Sequence, residues 1–249
     1  MSATNRDAAT ERLTSDPVPV EQLRADVGRM MAVLATGGVA LVPLDVAYGI
    51  VAMREAGIRK IFTAKQRSYE KPSGMFSNAA LSAEIHVMEP AKHAMVRELI
   101  AEERIPFSVV APFRADHPIF RSVDPFVLQS SSKIGTIDML LNAGQFHDEI
   151  ARQVMERGTP VFGSSANTSL TGSKYRLAEI DAPVRQAADI AFDYGLSKYV
   201  NPEGRSSTII DFRDFTVVRK GVCFEQLSRA FMTRFKVELK LVPGVTAGL

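Results

Sequence analysis

Two kinds of apolar pattern alternate along the chain, and their order restricts the fold more than any other feature of the sequence. Apolar residues recur at helical spacing over 20–38, 55–65 and 144–157. Short continuous apolar runs such as VALVPL and FSVVAPF, typical of buried strands, lie between them. The alternation is irregular, and the runs SSTIIDF and FTVVRKG follow each other across the short turn RD. We therefore expect an α/β fold with a mixed sheet rather than a purely parallel one.

Weaker patterns predict the remaining elements. GMFS, TPVFGSSAN and DIAFD each contain a short strand, and PFVLQSSSKIGTIDM contains one or two strands. Helices are predicted over 90–103, near 183–188 and over about 224–235.

Composition limits the class of protein. With 249 residues, 46% hydrophobic and 23% charged, the chain suits one globular domain of about 200 residues plus tails. No apolar run reaches the roughly 18 residues of a membrane span, and the polar N-terminus lacks a signal core. A single cysteine, Cys223, excludes an internal disulfide and fits a reducing compartment, so we expect a cytoplasmic protein without membrane partners.

Charge and histidine spacing narrow the possible sites. The net charge of +2 argues against a generally basic nucleic-acid binder, so any basic site must be local. The four histidines are scattered without metal-ligand spacing or a Ser-His-Asp arrangement, so no protein metal site is expected.

The segment AKQRSYEKP, 64–72, gathers cations where the second predicted helix ends. Cations at a helix C-terminus complement the dipole and Pro72 would stop the helix, so a solvated helix end is one interpretation. The other is a phosphate clamp. Lys65 and Arg67 lie two residues apart and would point the same way in an extended loop. Arginine binds phosphate in a fork and lysine adds a point charge.

Two further polar loops each follow a predicted strand. VPLDVAYGI, 42–50, is either a simple turn or a ligand loop at a strand's carboxyl end. GSSANTSLTG, 163–172, is either an ordinary polar loop or an anion site built from backbone N–H groups and Ser and Asn side chains.

Six motifs in order resemble those of the YrdC-like threonylcarbamoyl-AMP synthases. That family has P-T-D-T-x-Y-G-L, K-x-R-x-x-x-K-P, a P-x-T strand, S-x-N, S-T-V/I-V/I-D and R-x-G. This chain has PLDVAYGI, KQRSYEKP, PFSVV, SSAN, SSTIID and RKG. The resemblance covers about 21–225 and implies a single domain with an open twisted sheet, flanking helices and a basic concave face. Residues 1–20 would then be a flexible tail, and 226–249 a C-terminal helix and tail.

The resemblance also implies an activity: formation of threonylcarbamoyl-adenylate from ATP, bicarbonate and threonine for tRNA modification. Mg²⁺ is expected with ATP from the chemistry and not from any ligand motif in the chain. Such a reaction needs positioning and cations over the triphosphate more than side-chain acid-base chemistry. By resemblance, the nucleotide and phosphate site comprises Lys65, Arg67, Ser108, Ser165, Asn167 and Ser207, with Lys71 and Arg205 as further cations.

Departures from the family fall on the amino-acid side of the site. The substrate pocket would comprise Asp45, Val46, Tyr48, Phe76 and Ile137. Val46 stands where the family has threonine, Phe76 aligns with a histidine, and Ile137 aligns with an arginine of a G-x-R-x-P stretch. A hydroxyl, an imidazole and a guanidinium thus become apolar groups, although Arg121 or Lys133 could replace the lost cation.

We therefore expect an ATP- or AMP-binding YrdC-like protein. As an enzyme it would be a nucleotidyltransferase that forms a carbamoyl-adenylate from bicarbonate and an amine acceptor, with free threonine a poor substrate. The alternative is a non-catalytic module that binds nucleotide or RNA, double-stranded RNA included, through the basic face.

Overall fold

The computed structural model describes residues 11–69 and 71–242. The helices are α1 (Val20–Ala35), α2 (Glu55–Lys65), α3 (Ala79–Ile85), α4 (Pro90–Glu98), α5 (Pro125–Ser131), α6 (Gln145–Arg157), α7 (Ala182–Gln186) and α8 (Phe224–Ala230). π-helical turns extend α4 over Leu99–Glu103 and α8 over Phe231–Phe235, and single 3₁₀ turns cover Pro118–Phe120 and Leu177–Glu179.

The strands form one mixed sheet. They are β1 (Ala40–Val42), β2 (Gly49–Ala52), β3 (Gly74–Phe76), β4 (Phe107–Pro112), β5 (Ser132–Lys133), β6 (Thr136–Leu141), β7 (Phe162–Ser165), β8 (Ile190–Ala191), β9 (Thr208–Asp211), β10 (Thr216–Arg219) and β11 (Lys240–Leu241). Their order is β11-β10-β9-β4-β6-β3-β7-β2-β1-β8, and β5 pairs with β6. Parallel pairs such as β4 with β9 alternate with antiparallel pairs such as β4 with β6, which confirms the predicted fold class.

Helix α2 shows how the sequence positions the later site. Ile58, Ile61 and Phe62 are buried on one face, and the helix packs against β2, α5 and α7. It ends at Gln66, whose backbone is left-handed with a φ of 51°. The Gln66 N–H donates to Thr63 O at 3.1 Å, and the Arg67 N–H donates to Phe62 O at 2.9 Å. A left-handed residue is a common way for a helix to satisfy its last carbonyls and redirect the chain.

Most predicted elements are present, but residues 125–131 correct the prediction. We expected PFVLQSSSKIGTIDM to contain only strands, whereas its first part is helix α5 and its second part forms β5 and β6. Pro125 occupies the first turn of α5, where proline is well tolerated. The apolar run in this segment is too short to separate a buried helix from a strand by periodicity alone.

The predicted flexible tail, 1–20, also needs correction over its described part. Thr14 Oγ1 donates to Asp45 Oδ1 at 2.8 Å, and Leu13 forms a β-bridge with Leu196. The side chain of Gln145 donates to the Thr14 carbonyl at 2.7 Å. Residues 11–19 are therefore fixed to the domain by specific hydrogen bonds. Residues 1–10 lie outside the described part.

Candidate functional site

A cavity of about 590 Å³ opens over one face of the sheet. We call it the basic cavity because its lining includes the cations Lys65, Arg67, Lys71, Lys133, Arg213 and Arg219. The carboxylates that line it among the described residues are Asp138 and Asp211. Asp211 forms an ion pair with Arg213 at 2.7 Å, so the balance of charge over the rest of the cavity is strongly positive.

Strand alternation explains which sheet residues reach the basic cavity. Val110 of β4 is directly opposite Asp138 of β6 on one side and Asp211 of β9 on the other, and all three line the cavity. Their neighbours along the strands, such as Val109 and Ile210, are fully buried in the core. Successive side chains of a strand point to opposite faces, so this row forms the cavity floor.

The end of α2 brings two predicted cations into the same cavity. Lys65 is the last helical residue, and Arg67 follows the left-handed Gln66. We expected an extended loop to align these side chains, but the turn at Gln66 does so instead. Lys71 also lines the cavity, so all three predicted cations of AKQRSYEKP lie together.

Lys65 fixes the loop that follows β7. Its side chain is 1% exposed, and its Nζ donates to the carbonyl oxygens of Ser165 and Asn167. Asn167 Oδ1 lies 3.4 Å from the same Nζ and also accepts from Ser165 Oγ. Burial, with repulsion from Arg67, lowers the pKa of Lys65 to about 7. The predicted phosphate contact of Lys65 thus stays a prediction, while its contact with the SSAN loop is observed.

Arg67 and Arg219 meet where the basic cavity joins a second, smaller pocket. Arg67 donates to the backbone oxygens of Lys71 and Pro72, at 3.0 and 2.8 Å. Burial lowers the pKa of Arg67 to about 10 with a contribution from Arg219, and burial lowers that of Arg219 as well. Within the described residues neither guanidinium forms an ion pair with a carboxylate. Two partly buried, mutually repelling cations that share one nearby carboxylate, Asp138, are an arrangement suited to an anionic ligand.

Arg219 is the main residue that sequence reasoning missed. The RKG motif contained it, but only its position in space shows that it faces Arg67. Strand β10 shifts register between Val217 and Arg219, and this irregularity lets Val218 and Arg219 both line the cavity. The Arg219 side chain donates to Ser207 O and Ser207 Oγ at 2.8 and 2.9 Å. The predicted serines Ser207 and Ser108 lie next to each other, with their hydroxyls 3.4 Å apart.

We call the second pocket, of about 120 Å³, the apolar subpocket after three of its walls, Val46, Phe76 and Leu140; two arginines, Asp138 and several serines complete its lining. Val46 and Phe76, two residues of the predicted substrate pocket, line it together with Leu140. A β-carbon on Gly163 would lie 3.2 Å from the Phe76 ring, so the ring lies close to a position without a side chain. Phe76 is 3% exposed, and the buried His147 ring lies behind it with centroids 5.3 Å apart. Phe76 therefore closes one end of the subpocket.

Asp138 forms the boundary between the basic cavity and the apolar subpocket, since it lines both. Burial raises its pKa to about 6, against the opposing effects of Arg219, Ser108 and Arg67. Its Oδ1 is shielded from solvent and accepts no hydrogen bond from the described residues. The sequence motifs did not mark this residue, because the alignment placed the family position at its neighbour, Ile137.

Ile137 corrects the predicted substrate pocket. Its side chain is 1% exposed and packs in the core, and it lines neither cavity. The strand residues that reach the cleft are Thr136, Asp138 and Leu140. The alignment that placed a family arginine at Ile137 therefore differs by one residue from the strand position that lines the cleft. That position is Asp138, a carboxylate that faces Arg67 and Arg219. Such a slip moves every side chain to the other face of the sheet.

Asp45 and Arg205 also lie elsewhere than predicted. Asp45 accepts from Thr14 and lines neither cavity, and burial raises its pKa. Arg205 lines a separate cavity of about 520 Å³ with Lys198 and Lys220. The neighbours of Arg205 along the chain line the basic cavity, so alternation along this loop turns its side chain away.

Tyr48 lines the apolar subpocket, as predicted, but its hydroxyl is engaged beneath it. Tyr48 Oη donates to Asp193 Oδ1 or Gly195 O, at 2.9 and 2.8 Å, and burial raises its pKa. Arg121 and Lys133 were the two candidates to replace the lost cation. Arg121 lines neither cavity, whereas Lys133 lines the basic cavity.

Across residues 11–69 and 71–242, no group of three or more His, Cys, Asp or Glu side chains is arranged to hold a metal ion. In the same part of the chain, no helix is both long and apolar enough to cross a bilayer.

Comparison with known families decides the relationship. The Sua5/YciO/YrdC family model, described as "Telomere recombination", matches residues 32–221. The chain belongs to the Sua5/YciO/YrdC family. This confirms the resemblance drawn from the six motifs. No curated protein matches this family member significantly in sequence.

Solved structures show the same fold as this Sua5/YciO/YrdC protein. A hypothetical protein, smu.1377c, from Streptococcus mutans UA159 has a TM-score of 0.71 and 18% identity, over 89% of this chain and 93% of that one. Sua5 of P. abyssi, complexed with L-threonine, has a TM-score of 0.65 and 18% identity, over 93% of this chain and 62% of that one. Full-length HypF in a phosphate- and nucleotide-bound form has a TM-score of 0.58 and 14% identity, over 81% of this chain and 29% of that one.

Proposed function

We propose that the chain binds ATP through the basic cavity and forms a carbamoyl-adenylate on an amine other than threonine. The observation that carries the proposal is the pair of partly buried guanidiniums, Arg67 and Arg219, which form no ion pair within the described residues and share the influence of one carboxylate, Asp138. A triphosphate would supply the missing negative charge, and arginine forks match phosphate oxygens geometrically.

The proposed reaction balances in two steps. The acceptor amine attacks bicarbonate, a C–N bond forms, and water leaves, which gives a carbamate. A carbamate oxygen then attacks the α-phosphorus of ATP, the bond to the β-phosphate oxygen breaks, and pyrophosphate leaves. The transferred group gains charge on its phosphate oxygens, so fixed cations such as Arg67 and Arg219 would stabilise the transition state without side-chain acid-base chemistry.

The rim of the basic cavity offers a place for the base. Ile134 and Leu170 line the cavity and are 83% and 62% exposed, which is unusual for large apolar side chains. Both residues have positive φ, at 50° and 70°. An adenine ring would cover this apolar surface while the phosphates occupy the cationic interior. Mg²⁺ would arrive bound to the ATP phosphates and belongs to the substrate.

The similar HypF structure, which is phosphate- and nucleotide-bound, supports the nucleotide part of this proposal, and Sua5 complexed with L-threonine is the comparison for the acceptor. For the acceptor, this chain differs. A free amino acid needs a partner for its carboxylate when it leaves water, and Val46 and Phe76 provide none. Arg67 and Arg219 line the same subpocket, but this proposal assigns them to the ATP phosphates. Asp138 would repel a carboxylate. We therefore expect ATP binding to be kept and threonine to be used poorly.

Calorimetric titration of ATP tests the nucleotide half of the proposal. Arg67→Ala should weaken ATP binding about ten- to a hundredfold, which corresponds to the roughly 1.5–3 kcal/mol of a charged hydrogen bond. Arg205→Ala is the matched control, because it removes the same charge from the separate cavity and should leave ATP affinity close to that of the wild type. Equal ATP affinity in a folded Arg67→Ala variant would return AKQRSYEKP to a solvated helix end.

The non-catalytic alternative is nucleotide or RNA binding without turnover. A cavity of about 590 Å³ suits one nucleotide better than a duplex, which gives the RNA form less support. Fluorescence anisotropy with duplex RNA at low and moderate salt tests it, because phosphate contacts make RNA binding fall steeply with salt. Pyrophosphate release in the presence of bicarbonate and an amine separates an enzyme from a binding module.

A further inference from the structure

We infer that the apolar subpocket takes the amine end of a small ligand that carries no carboxylate, with Asp138 Oδ1 as the acceptor for its N–H group. The inference rests on the proposed function in one respect: this ligand would be the acceptor amine of the carbamoylation. It assigns the ligand's chemical class, which neither the family match nor the similar structures give.

Unsatisfied polar atoms carry the inference. Asp138 Oδ1 and Ser164 Oγ are both shielded from solvent, both belong to residues that line the apolar subpocket, and neither has a hydrogen-bond partner among the described residues. Such atoms are uncommon in folded proteins and invite a ligand that completes them. A carboxylate oxygen accepts hydrogen bonds, so the group placed there must donate, as an amine or ammonium does.

The walls and the volume restrict the rest of the ligand. Val46, Phe76 and Leu140 give the subpocket apolar sides. The volume of about 120 Å³ equals that of roughly four waters at about 30 Å³ each. A short alkyl amine satisfies both limits. Arg67 and Arg219 also line the subpocket, but the proposed function assigns them to the ATP phosphates. With ATP bound, a carboxylate would therefore lie beside Asp138 or against these apolar walls, and both positions are unfavourable.

The neighbouring charges make amine and nucleotide binding depend on each other. Asp138 faces Arg67 and Arg219, so an ammonium entering the empty cleft meets two cations. Phosphates bound to those arginines would cancel the repulsion. The amine should therefore bind more tightly when ATP is bound, and ATP more tightly when the amine is bound, by the same factor.

Binding measurements on the wild type test the ligand class without any substitution. We would titrate n-propylamine, propionate and L-threonine by calorimetry in an amine-free buffer, with and without saturating ATP. The expected result is that propylamine binds, more tightly with ATP present, while propionate and threonine bind far more weakly than propylamine when ATP is bound. Tighter binding of threonine than of propylamine, or no propylamine binding in either condition, overturns the inference.

Substitution of Asp138 tests the assigned acceptor. Asp138→Asn should weaken propylamine binding about ten- to a hundredfold, as expected for loss of a charged hydrogen bond. It should strengthen ATP binding, since a negative charge beside the phosphates is removed. Asp211→Asn is the matched control: it removes a carboxylate from the basic cavity, does not touch the subpocket, and should weaken propylamine far less. Equal weakening by both variants contradicts the role of Asp138.

Failure of this inference is distinguishable from failure of the proposed function. If ATP binds normally and propylamine does not, the nucleotide site stands and the amine assignment falls. If ATP does not bind but propylamine binds in an Asp138-dependent way, the amine site stands and the proposed reaction falls.

Discussion

The basic cavity and the apolar subpocket share Asp138 as a wall, but they differ in the charge and in the packing of their side chains. In the basic cavity, Arg67 and Arg219 are partly buried and form no ion pair within the described residues, and the neighbouring Asp138 Oδ1 has no hydrogen-bond partner there. The subpocket is closed by Phe76, which packs against Gly163 and His147 as an ordinary core residue does. The basic cavity therefore gives up stability to bind charge, whereas the wall of the apolar subpocket contributes to the core.

Removing the Phe76 ring should have the largest effect on stability. Phe76→Ala should lower the free energy of unfolding by about 3–5 kcal/mol, because it leaves a cavity between β3 and α6 that neighbours fill only in part. Urea unfolding monitored by circular dichroism measures the change. Arg67→Ala should cost far less stability, since relief of its repulsion from Arg219 offsets two lost backbone hydrogen bonds. Equal costs for the two variants would erase the contrast between the halves.

Asp138 should make the stability of the fold depend on pH. Its folded-state pKa of about 6 lies above the ordinary value of 3.8, so the folded protein holds this proton more tightly than the unfolded chain. Protonation then stabilises the fold as pH falls from about 6 toward 4, and ionisation costs stability above that window.

The variant Asp138→Asn imitates the protonated state at every pH. It should therefore be more stable than the wild type at pH 8, by about 1–3 kcal/mol, and the advantage should shrink as pH falls to 5. Parallel urea titrations at the two pH values measure it. A stability advantage that is constant with pH, or absent, would show that folding does not raise the pKa of Asp138.

The rim of the basic cavity should show the smallest effect. Ile134 is β-branched and has a φ of 50°, a conformation that costs such residues about 1 kcal/mol or more. Asparagine tolerates this backbone better, so Ile134→Asn should stabilise the protein by about 1 kcal/mol and weaken ATP binding a few-fold by loss of apolar contact with the base. Thermal unfolding and ATP calorimetry test both parts. A gain in ATP affinity would exclude Ile134 from the base site.

The sequence was sufficient for elements with a strong period. Helix α2 has the predicted bounds, Glu55–Lys65, because its apolar face is regular and a polar segment follows it. Helix α5 was predicted as strand, since its short apolar run carries no distinguishing period. Within the site, the grouping of Lys65, Arg67 and Lys71 was predicted, although the left-handed turn at Gln66 was not.

The sequence did not show which side of the sheet a single side chain points to. Ile137 and Asp138 are adjacent, and only the register of β6 with β4 shows that the carboxylate enters the cleft. Arg219 enters it because β10 shifts register there, and no spacing in the sequence marks that shift. Arg205 was placed in the cleft for its charge, but its loop turns it outward. These errors arise because a one-residue difference on a strand reverses the side of the sheet.

The most direct test of the account is product formation with ATP and bicarbonate, with L-threonine and n-propylamine supplied in separate reactions beside a known threonylcarbamoyl-adenylate synthase. Pyrophosphate release and mass spectrometry of the adenylate report the outcome. The account predicts pyrophosphate and a carbamoyl-adenylate with propylamine, and little or none with threonine. Threonylcarbamoyl-adenylate formed at a rate comparable to that of the known synthase would contradict it.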